Sequence, residues 1–195
     1  MGEKLRRLAR ASILTGIAVV LMYLEFPLPF FPAFLEYDFS EVPALIGAFA
    51  MGPAAGVSIV AAKALLHLPV TTTLGVGELA NLIVGITFVF TAGTIYELKK
   101  TRAGALTAML CGTAAMAAAG AAANYFIILP FYLEVMGFSL ETILSMASQF
   151  FLPPTGMATL ILYVFVTFNL LKALAASAIT FLIYKRISRL FKPGA

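Results

Sequence analysis

The stretch Glu41–Pro69 reads EVPALIGAFAMGPAAGVSIVAAKALLHLP, and the number of times it crosses a membrane decides the fold. It is almost wholly apolar, but the Gly52-Pro53 pair near its middle is a turn signal. In one interpretation it forms a single long helix that crosses once. In the other it forms two short helices that meet at the turn and cross twice. The rest of the chain is needed to choose between them.

The composition of the 195-residue chain indicates an integral membrane protein, because 62% of its residues are hydrophobic and only 11% are charged. A soluble domain carries about a quarter charged residues. A bilayer core of about 30 Å needs about 20 apolar residues per helix, so about six spans fit with short loops. The apolar runs do not alternate with a period of two, so a β-barrel is not expected.

Basic residues mark three positions along the chain, and each position adjoins an apolar run. Lys and Arg concentrate on the cytoplasmic side of membrane proteins, so the three positions predict cytoplasmic ends rather than a nucleic-acid surface. The clusters contain eleven of the thirteen Lys and Arg residues: Lys4, Arg6, Arg7 and Arg10; Lys99, Lys100 and Arg102; Lys185, Arg186, Arg189 and Lys192.

The first two clusters share a side only if the chain crosses the membrane an even number of times between them. Four crossings are obtained when 41–69 forms two short spans, and three when it forms one, so the two-span interpretation is preferred. The sequence therefore predicts an all-α, multi-pass protein of the cell membrane with six transmembrane helices in one domain, 1–195, and both termini cytoplasmic. The approximate helices are 8–25, 41–52, 54–69, 78–98, 103–130 and 163–187, with outer loops 26–40, 70–77 and 131–160.

Polar residues inside the apolar spans are candidates for a binding site. Lys172 lies 13 residues before Lys185, which places it about 20 Å deeper along the helix, and Asn169 shares its face. An intramembrane ionisable residue indicates a functional site by default, although snorkelling or a structural ion pair would also explain it. Asn124 lies at a similar level on the fifth span, where its amide could bind heterocycle edges or another helix.

The outer loops place further polar groups at the same membrane face. Glu78 and Asn81 lie at i, i+3 on the fourth span, where Glu78 could also complement the helix N-terminus. Gly75 and Gly77 allow backbone groups to approach a ligand closely, and Asp38 could line the site or cap the second span. The outer-loop candidates are Tyr37, Asp38, Thr73, Gly75, Gly77, Glu78 and Asn81.

Convergence of these sequence-distant polar groups inside an apolar bundle predicts a small-molecule pocket near the outer face. Its ligand would have a flat apolar body and several hydrogen-bonding edges. Lys63 and His67, an i, i+4 pair on the third span, are interpreted as structural or pairing, since a single histidine is a weak metal signal. The sequence contains no phosphate-binding loop and no nucleophile–base pair, so neither an ATPase nor another enzyme is expected.

The first span offers a face on which another helix could dock. Ala11 with Thr15, and Ser12 with Gly16, have the small-xxx-small spacing that permits close approach. Packing of the same residues against the fifth span of this chain is the alternative.

Four stretches carry a resemblance to a known family: YDFSEVPALIGAFAMGPAAG (37–56), TTTLGVGELANLIVG (71–85), NYFIILPFY (124–132) and FNLLKA (168–173). They resemble the riboflavin-specific S component, the RibU family, of energy-coupling factor (ECF) transporters. The resemblance implies six helices and riboflavin bound near the outer face under the first loop. By similarity, Asn124, Asn169 and Lys172 hydrogen-bond the flavin or its ribityl chain, and Glu78 and Asn81 are further candidates.

The resemblance also implies partners and a mode of action. These are riboflavin, the membrane lipid, and an energy-coupling module of two ATPases and one transmembrane coupling protein; no cofactor or metal is expected. In the family an Ala-xxx-Ala face of helix 1 docks on the coupling protein, whereas this sequence has Ala11-xxx-Thr15 or Ser12-xxx-Gly16, which leaves two registers. Family members are thought to topple in the membrane to release substrate inward. The alternatives are an S component for FMN or thiamine, a membrane-embedded enzyme, or a structural subunit or channel.

Overall fold

The computed structural model describes residues 2–190 of the chain, and the side chains of residues 2–183. The described part is a helical bundle with one two-stranded ladder in the first loop. Its elements are α1 (Glu3–Tyr23), β1 (Phe26–Pro27), β2 (Glu36–Tyr37), α2 (Glu41–Met51), α3 (Pro53–His67), a 3-10 turn (Leu68–Val70), α4 (Val76–Leu98), α5 (Arg102–Ala123), α6 (Leu140–Met146), α7 (Met157–Thr159) and α8 (Val166–Leu190). Three π-helical segments extend these helices: Asn124–Ile128, Phe131–Val135 and Leu160–Phe165.

The stretch that decides the fold forms two helices joined at one residue. Gly52 has φ 97°, a left-handed conformation that suits glycine and reverses the chain. Pro53 follows as the first residue of α3, where its missing N–H needs no helical partner. The two helices pack closely, since a Cβ on Gly56 would lie 2.7 Å from the Cβ of Ala48.

The start of α1, the ends of α2 and α4 and the start of α5 lie at the same end of the bundle. This end carries Arg7 and Arg102 and is called here the basic end. The guanidinium of Arg7 in α1 donates to the carbonyl of Met51 at the end of α2. A Cβ on Gly52 would lie 2.8 Å from Oε1 of Glu97 near the end of α4. Arg102, at the start of α5, lies with its guanidinium 5.6 Å from the ring centre of Phe181 in α8. The first two basic clusters therefore lie at the same end.

Small residues bring the helices of the core close together. A Cβ on Gly112 of α5 would lie 3.0 Å from Ala92 and 3.1 Å from Phe88, both in α4, so only glycine fits without displacement. The alanine- and glycine-rich composition of α5 is thus explained by backbone proximity. Around this contact the buried core is completed by large apolar side chains, among them Leu14, Leu45, Ile59, Met109 and Met116.

The helices of the fifth and sixth spans extend well beyond the ranges predicted from the sequence. The helix of the fifth span continues through Pro130 to Val135 instead of ending at the proline. A proline ring clashes with the carbonyl four residues earlier, and the π-helical turns on both sides widen the helix there. The helix of the sixth span begins at Met157 rather than near Tyr163, again through a π-helical segment. Residues of both extensions, among them Tyr132 and Leu160, form a buried cluster against which Phe31 and Phe34 of the first loop pack.

Four helices of the described chain are long and apolar enough to cross a membrane, which makes it a multi-pass membrane protein. Helix α2 has 11 residues and is therefore about 16 Å long, short of a bilayer core. Helix α1 is longer but carries three arginines in its first half. The third basic cluster falls outside the described side chains, and its Lys192 lies outside the described residues. The four candidate spans are Pro53–Val70, Val76–Leu98, Arg102–Val135 and Met157–Ile183.

Candidate functional site

A cavity opens at the end of the bundle opposite the basic end. Its lining encloses about 760 Å³, a volume that includes open solvent at the mouth. Aromatic rings form its apolar wall, and ionisable and amide side chains form the remainder. The lining residues are Met22, Glu25, Phe34, Leu35, Glu36, His67, Thr72, Thr73, Gly77, Glu78, Ala80, Asn81, Val84, Asn124, Ile128, Tyr132, Phe165, Phe168, Asn169 and Lys172.

The first loop covers one side of the cavity. Its ends are joined by the antiparallel ladder, in which Phe26 pairs with Tyr37. Aromatic contacts hold the loop against the helices. The ring centroids of Phe31 and Phe168 lie 5.5 Å apart, and those of Phe34 and Tyr132 lie at the same distance. Edge-to-face pairs of this kind are favourable, so the phenylalanine-rich loop forms a fixed wall of the cavity.

Lys172 is the buried cation of the cavity. Its Nζ lies 2.7 Å from Oδ2 of Asp38 and donates to Oδ1 of Asn81 at 2.9 Å. Asp38 also accepts from the backbone N–H of Ser40 at 2.7 Å. Burial alone would raise the pKa of Asp38, but the charges of Lys172 and Lys63 and these hydrogen bonds hold it well below its usual range. The carboxylate is therefore ionised and holds the lysine in place.

Asn124 and Asn169 place two amide groups in the cavity wall, and each is only 6% exposed. The amide nitrogen of Asn124 donates to the carbonyl of Gly120 at 2.8 Å, and that of Asn169 donates to the carbonyl of Phe165 at 2.9 Å. Neither amide oxygen accepts a hydrogen bond from a described residue. A Cβ on Gly120 would lie 2.5 Å from the amide nitrogen of Asn169, so glycine is needed for this arrangement. The two oxygens are fixed acceptors available to a ligand.

The threonine run organises the start of α4. The hydroxyl of Thr71 donates to Oε2 of Glu78 at 2.7 Å and accepts from the backbone N–H of Gly75 at 3.0 Å. The hydroxyl of Thr73 accepts from the backbone N–H of Gly77 at 2.9 Å. Gly75 has φ 86° and turns the chain into the helix. These contacts satisfy free N–H groups at the helix N-terminus and position Glu78.

A continuous series of acidic groups and one histidine runs along the cavity wall. The Nδ1 atom of His67 lies 3.0 Å from Oε1 of Glu78, and its Nε2 atom lies 3.5 Å from Oε1 of Glu25. Glu25 is in turn hydrogen-bonded to Glu36, which the ladder places beside it. Burial, the bond to Glu36, and the negative charges of Glu36 and Asp38 raise the pKa of Glu25 to about 8. At neutral pH, Glu25 is therefore mostly protonated.

A second buried ion pair lies behind the cavity. Lys63 contacts Oε1 of Glu41 at 2.6 Å and also donates to the hydroxyl of Ser40, and both charged side chains are 0% exposed. Ser40 thus contacts both buried pairs, through its backbone N–H to Asp38 and through its hydroxyl to Lys63. The other carboxylate oxygen of Glu41 has no partner among the described residues.

Seven of the ten residues predicted for the site line the cavity, and three do not. Tyr37 is buried and its ring packs against that of Phe168. Asp38 is ion-paired with Lys172 and does not line the cavity, and Gly75 forms the turn that precedes α4. The seven lining residues are Thr73, Gly77, Glu78, Asn81, Asn124, Asn169 and Lys172.

Among the carboxylates and the histidine that line the cavity, three residues were not predicted for the site: Glu25, Glu36 and His67. Glu25 and Glu36 are carboxylates beside an apolar, aromatic loop, and this is the signal that could have identified them. His67 was predicted to be structural or pairing, and its partners are Glu25 and Glu78. No group of three or more metal-binding side chains occurs in the described part of the chain.

The two registers predicted for a docking face differ in exposure. Ser12 and Gly16 are exposed on α1, and a Cβ on Gly16 would meet nothing within 4 Å. Ala11 and Thr15 are half-buried, and Ala11 packs against the core of this chain. Only the first pair is open to another helix in the described structure.

The apolar helices indicate a membrane protein, and the cavity with polar groups at one end of the bundle indicates that it binds a small molecule. Residues 6–184 match the family model of the ECF transporter, substrate-specific component. The chain belongs to this family, whose members are transport subunits rather than enzymes.

Relatives and a solved structure agree with the family match. The chain is 33% identical to "Riboflavin transporter RibU" of Staphylococcus aureus (strain TCH60), over 96% of this chain and 93% of the relative. It is 37% identical to "Riboflavin transporter FmnP" of Bacillus subtilis (strain 168), over 66% of this chain and 70% of the relative. A structure described as the S component of a bacterial ECF transporter superposes with a TM-score of 0.77 and 30% identity, covering 98% of this chain and 100% of that one.

Proposed function

We propose that this chain is the riboflavin-binding S component of an ATP-driven ECF importer in the cell membrane. It captures riboflavin in the cavity and delivers it through an energy-coupling module of two ATPases and a transmembrane coupling protein. The relatives named as riboflavin transporters support the ligand, and the family supports the module.

One observation carries the assignment to this cavity: two buried amide oxygens without a described partner face a cavity with aromatic walls. A flavin is flat and apolar on its faces, which suits the rings of Phe34, Tyr132 and Phe165. Its ring edge and ribityl chain carry N–H and O–H donors, which suit the oxygens of Asn124 and Asn169. Lys172 and Asn81 supply the remaining hydrogen-bonding groups.

We also propose six membrane-embedded helices with the basic end in the cytoplasm. Arg7 and Arg102 lie at that end, which matches the preference of Lys and Arg for the cytoplasmic side. The cavity then opens at the outer face, where substrate arrives. Helices α1 and α2 would complete the six, with α2 sheltered by its neighbours despite its length. Tyr37, Asp38 and Gly75 support the site from behind the lining residues.

Substitution of the cavity asparagines tests the proposed ligand. Asn124→Leu and Asn169→Leu are each expected to weaken riboflavin binding by about tenfold to a hundredfold, since each removes a fixed acceptor inside a buried site. Fluorescence quenching of riboflavin by the purified chain would give the dissociation constants. Thr113→Val is the matched control, because Thr113 is buried in α5 away from the cavity. Unchanged affinity in both asparagine variants would contradict the assignment.

The exposed face of α1 is the proposed docking surface for the coupling protein. Ser12 and Gly16 allow a helix to approach, and exposed apolar side chains flank them on the same helix, including Leu8 at 63% and Val20 at 59% exposure. The half-buried Ala11 and Thr15 lie on the side that packs within this chain. The Ser12-Gly16 register is therefore preferred over the Ala11-Thr15 register.

Gly16→Leu is expected to abolish assembly with the coupling module while riboflavin binding persists. The added side chain projects from the proposed docking surface, where a Cβ meets nothing within 4 Å. Co-purification of the complex from co-expressed subunits measures assembly, and fluorescence titration measures binding. Gly156→Leu is the control, since a Cβ there also meets open space but lies far from α1 in the sequence. Full assembly of the Gly16→Leu variant would contradict the docking register.

A further inference from the structure

A single serine joins two buried lysine–carboxylate pairs, Lys63 with Glu41 (called here the rear pair) and Lys172 with Asp38 (the cavity pair). Ser40 is 0% exposed and immediately precedes α2. Its hydroxyl accepts from Nζ of Lys63, and its backbone N–H donates to Oδ1 of Asp38 at 2.7 Å. A serine at this position commonly accepts from the backbone N–H groups of the helix that follows, but this side chain makes no capping bond. The hydroxyl therefore binds the lysine instead of capping the helix.

The rear pair gives Ser40 a rigid attachment. Nζ of Lys63 lies 2.6 Å from Oε1 of Glu41, and both side chains are 0% exposed. Glu41 is closely packed against α4, since a Cβ on Gly85 would lie 2.9 Å from the same carboxylate oxygen. An ammonium group has three N–H donors, and here it donates to Glu41 and to Ser40. Helices α2, α3 and α4 thus hold the ammonium, and the ammonium holds the Ser40 hydroxyl.

The backbone of Ser40 leads to the cavity through one carboxylate. Asp38 accepts from Ser40 with Oδ1, and its Oδ2 lies 2.7 Å from Nζ of Lys172, which lines the cavity. A carboxylate that is held through both oxygens keeps one orientation, and this orientation sets where the Lys172 ammonium lies. The same ammonium donates to Oδ1 of Asn81 at 2.9 Å. A displacement of Ser40 would therefore move a polar group of the cavity wall.

We propose that Ser40 is a positioning residue for riboflavin, an inference that rests on the proposed function. Ser40 does not line the cavity. It attaches the cavity pair to the rear pair, and so holds the Lys172 ammonium in place before riboflavin arrives. A group that is already fixed loses less freedom on binding, so a preorganised site binds more tightly. Without the hydroxyl, Asp38 and Lys172 stay paired but can shift together, and part of this advantage is lost.

Ser40→Ala removes the hydroxyl and leaves the backbone N–H bond to Asp38 in place. We expect it to raise the dissociation constant of riboflavin by about tenfold, less than the full effect of a hydrogen bond to a buried charged group. Fluorescence quenching with the purified full chain gives the constant, and thermal unfolding without riboflavin shows that the variant is folded. Ser58→Ala is the matched control. Ser58 is exposed on α3, its hydroxyl donates to the carbonyl of Ala54, and its loss should leave the constant unchanged.

Two multiple-variant comparisons separate positioning from a general loosening of the fold. Glu41→Gln/Lys63→Met removes the rear pair, so Ser40→Ala added to it is expected to cause no further loss of affinity. Asp38→Asn/Lys172→Met removes the cavity pair, and Ser40→Ala added to it is expected to change the constant by less than about twofold. A serine that only stabilised the fold would lower the affinity to the same extent in both backgrounds, since independent effects add.

Two outcomes would overturn the positioning role. One is a Ser40→Ala constant within about twofold of wild type, and the other is a loss that persists undiminished in either background. Both leave riboflavin binding by the wild-type chain intact, so the proposed function would survive. A wild-type chain that binds no riboflavin would overturn the proposed function, and wild-type affinity in Asp38→Asn/Lys172→Met would remove Lys172 from the site. Either of these results would also exclude the positioning role of Ser40.

Discussion

Lys172→Met is expected to raise the dissociation constant for riboflavin by at least about a hundredfold, the largest effect of any single substitution in the cavity. The lysine is 2% exposed and reaches both Asp38 and Asn81. Its loss removes the cation from the site and leaves the buried Asp38 carboxylate without its ion-pair partner, with only the hydrogen bond from the backbone N–H of Ser40. Breaking one side of a buried ion pair costs about 3–5 kcal/mol, so the free energy of unfolding should fall as well.

A double substitution separates loss of binding from loss of folding. Asp38→Asn/Lys172→Met has no unpaired buried charge, so its unfolding temperature is expected to recover most of the loss, while riboflavin binding remains weak. Thermal unfolding in detergent and flavin titration of the same samples give both quantities. If Lys172→Met binds riboflavin as tightly as wild type, or if the double variant regains wild-type affinity, Lys172 has no role in the site.

Lys63→Met is expected to cause the largest loss of stability in the described chain. Lys63 and Glu41 are both 0% exposed and their charged atoms lie 2.6 Å apart. One oxygen of Glu41 already has no described partner, so without Lys63 an entire carboxylate would be buried uncompensated. The expected loss is about 3–5 kcal/mol, a large fraction of the stability of an ordinary domain.

The matched double variant, Glu41→Gln/Lys63→Met, is expected to recover at least half of the lost unfolding temperature, because no charge is then left buried alone. Lys100→Met serves as the control, since Lys100 is exposed at the basic end and its loss should be nearly neutral. A Lys63→Met chain that unfolds at the wild-type temperature would show that the pair contributes nothing to stability.

The two-helix interpretation of 41–69 could be reached from the sequence because a local turn signal agreed with the number of crossings that the distant basic clusters require. A glycine followed by a proline ends one helix and begins the next, whatever surrounds them. The depth of Lys172 in the membrane could also be predicted, because the fixed rise per residue of a helix gives its distance from Lys185 along the helix axis.

The partners of these residues could not be predicted, because they depend on tertiary contacts. Asp38 lies 134 positions from Lys172, and no local pattern joins them. Lys63 and His67 share a helix face, yet each contacts a carboxylate from another segment. The ladder that places Glu36 beside Glu25 has only two residues per strand, too few for a period-two signal. The cavity wall was therefore only partly predicted.

Binding of riboflavin to the purified wild-type chain is the decisive measurement of the proposed function. The chain would be extracted in detergent, its visible absorption recorded, and riboflavin fluorescence then titrated with protein. We expect a yellow preparation or saturable quenching, with one riboflavin per chain and sub-micromolar affinity. A colourless protein that leaves flavin fluorescence unchanged at every concentration would contradict it.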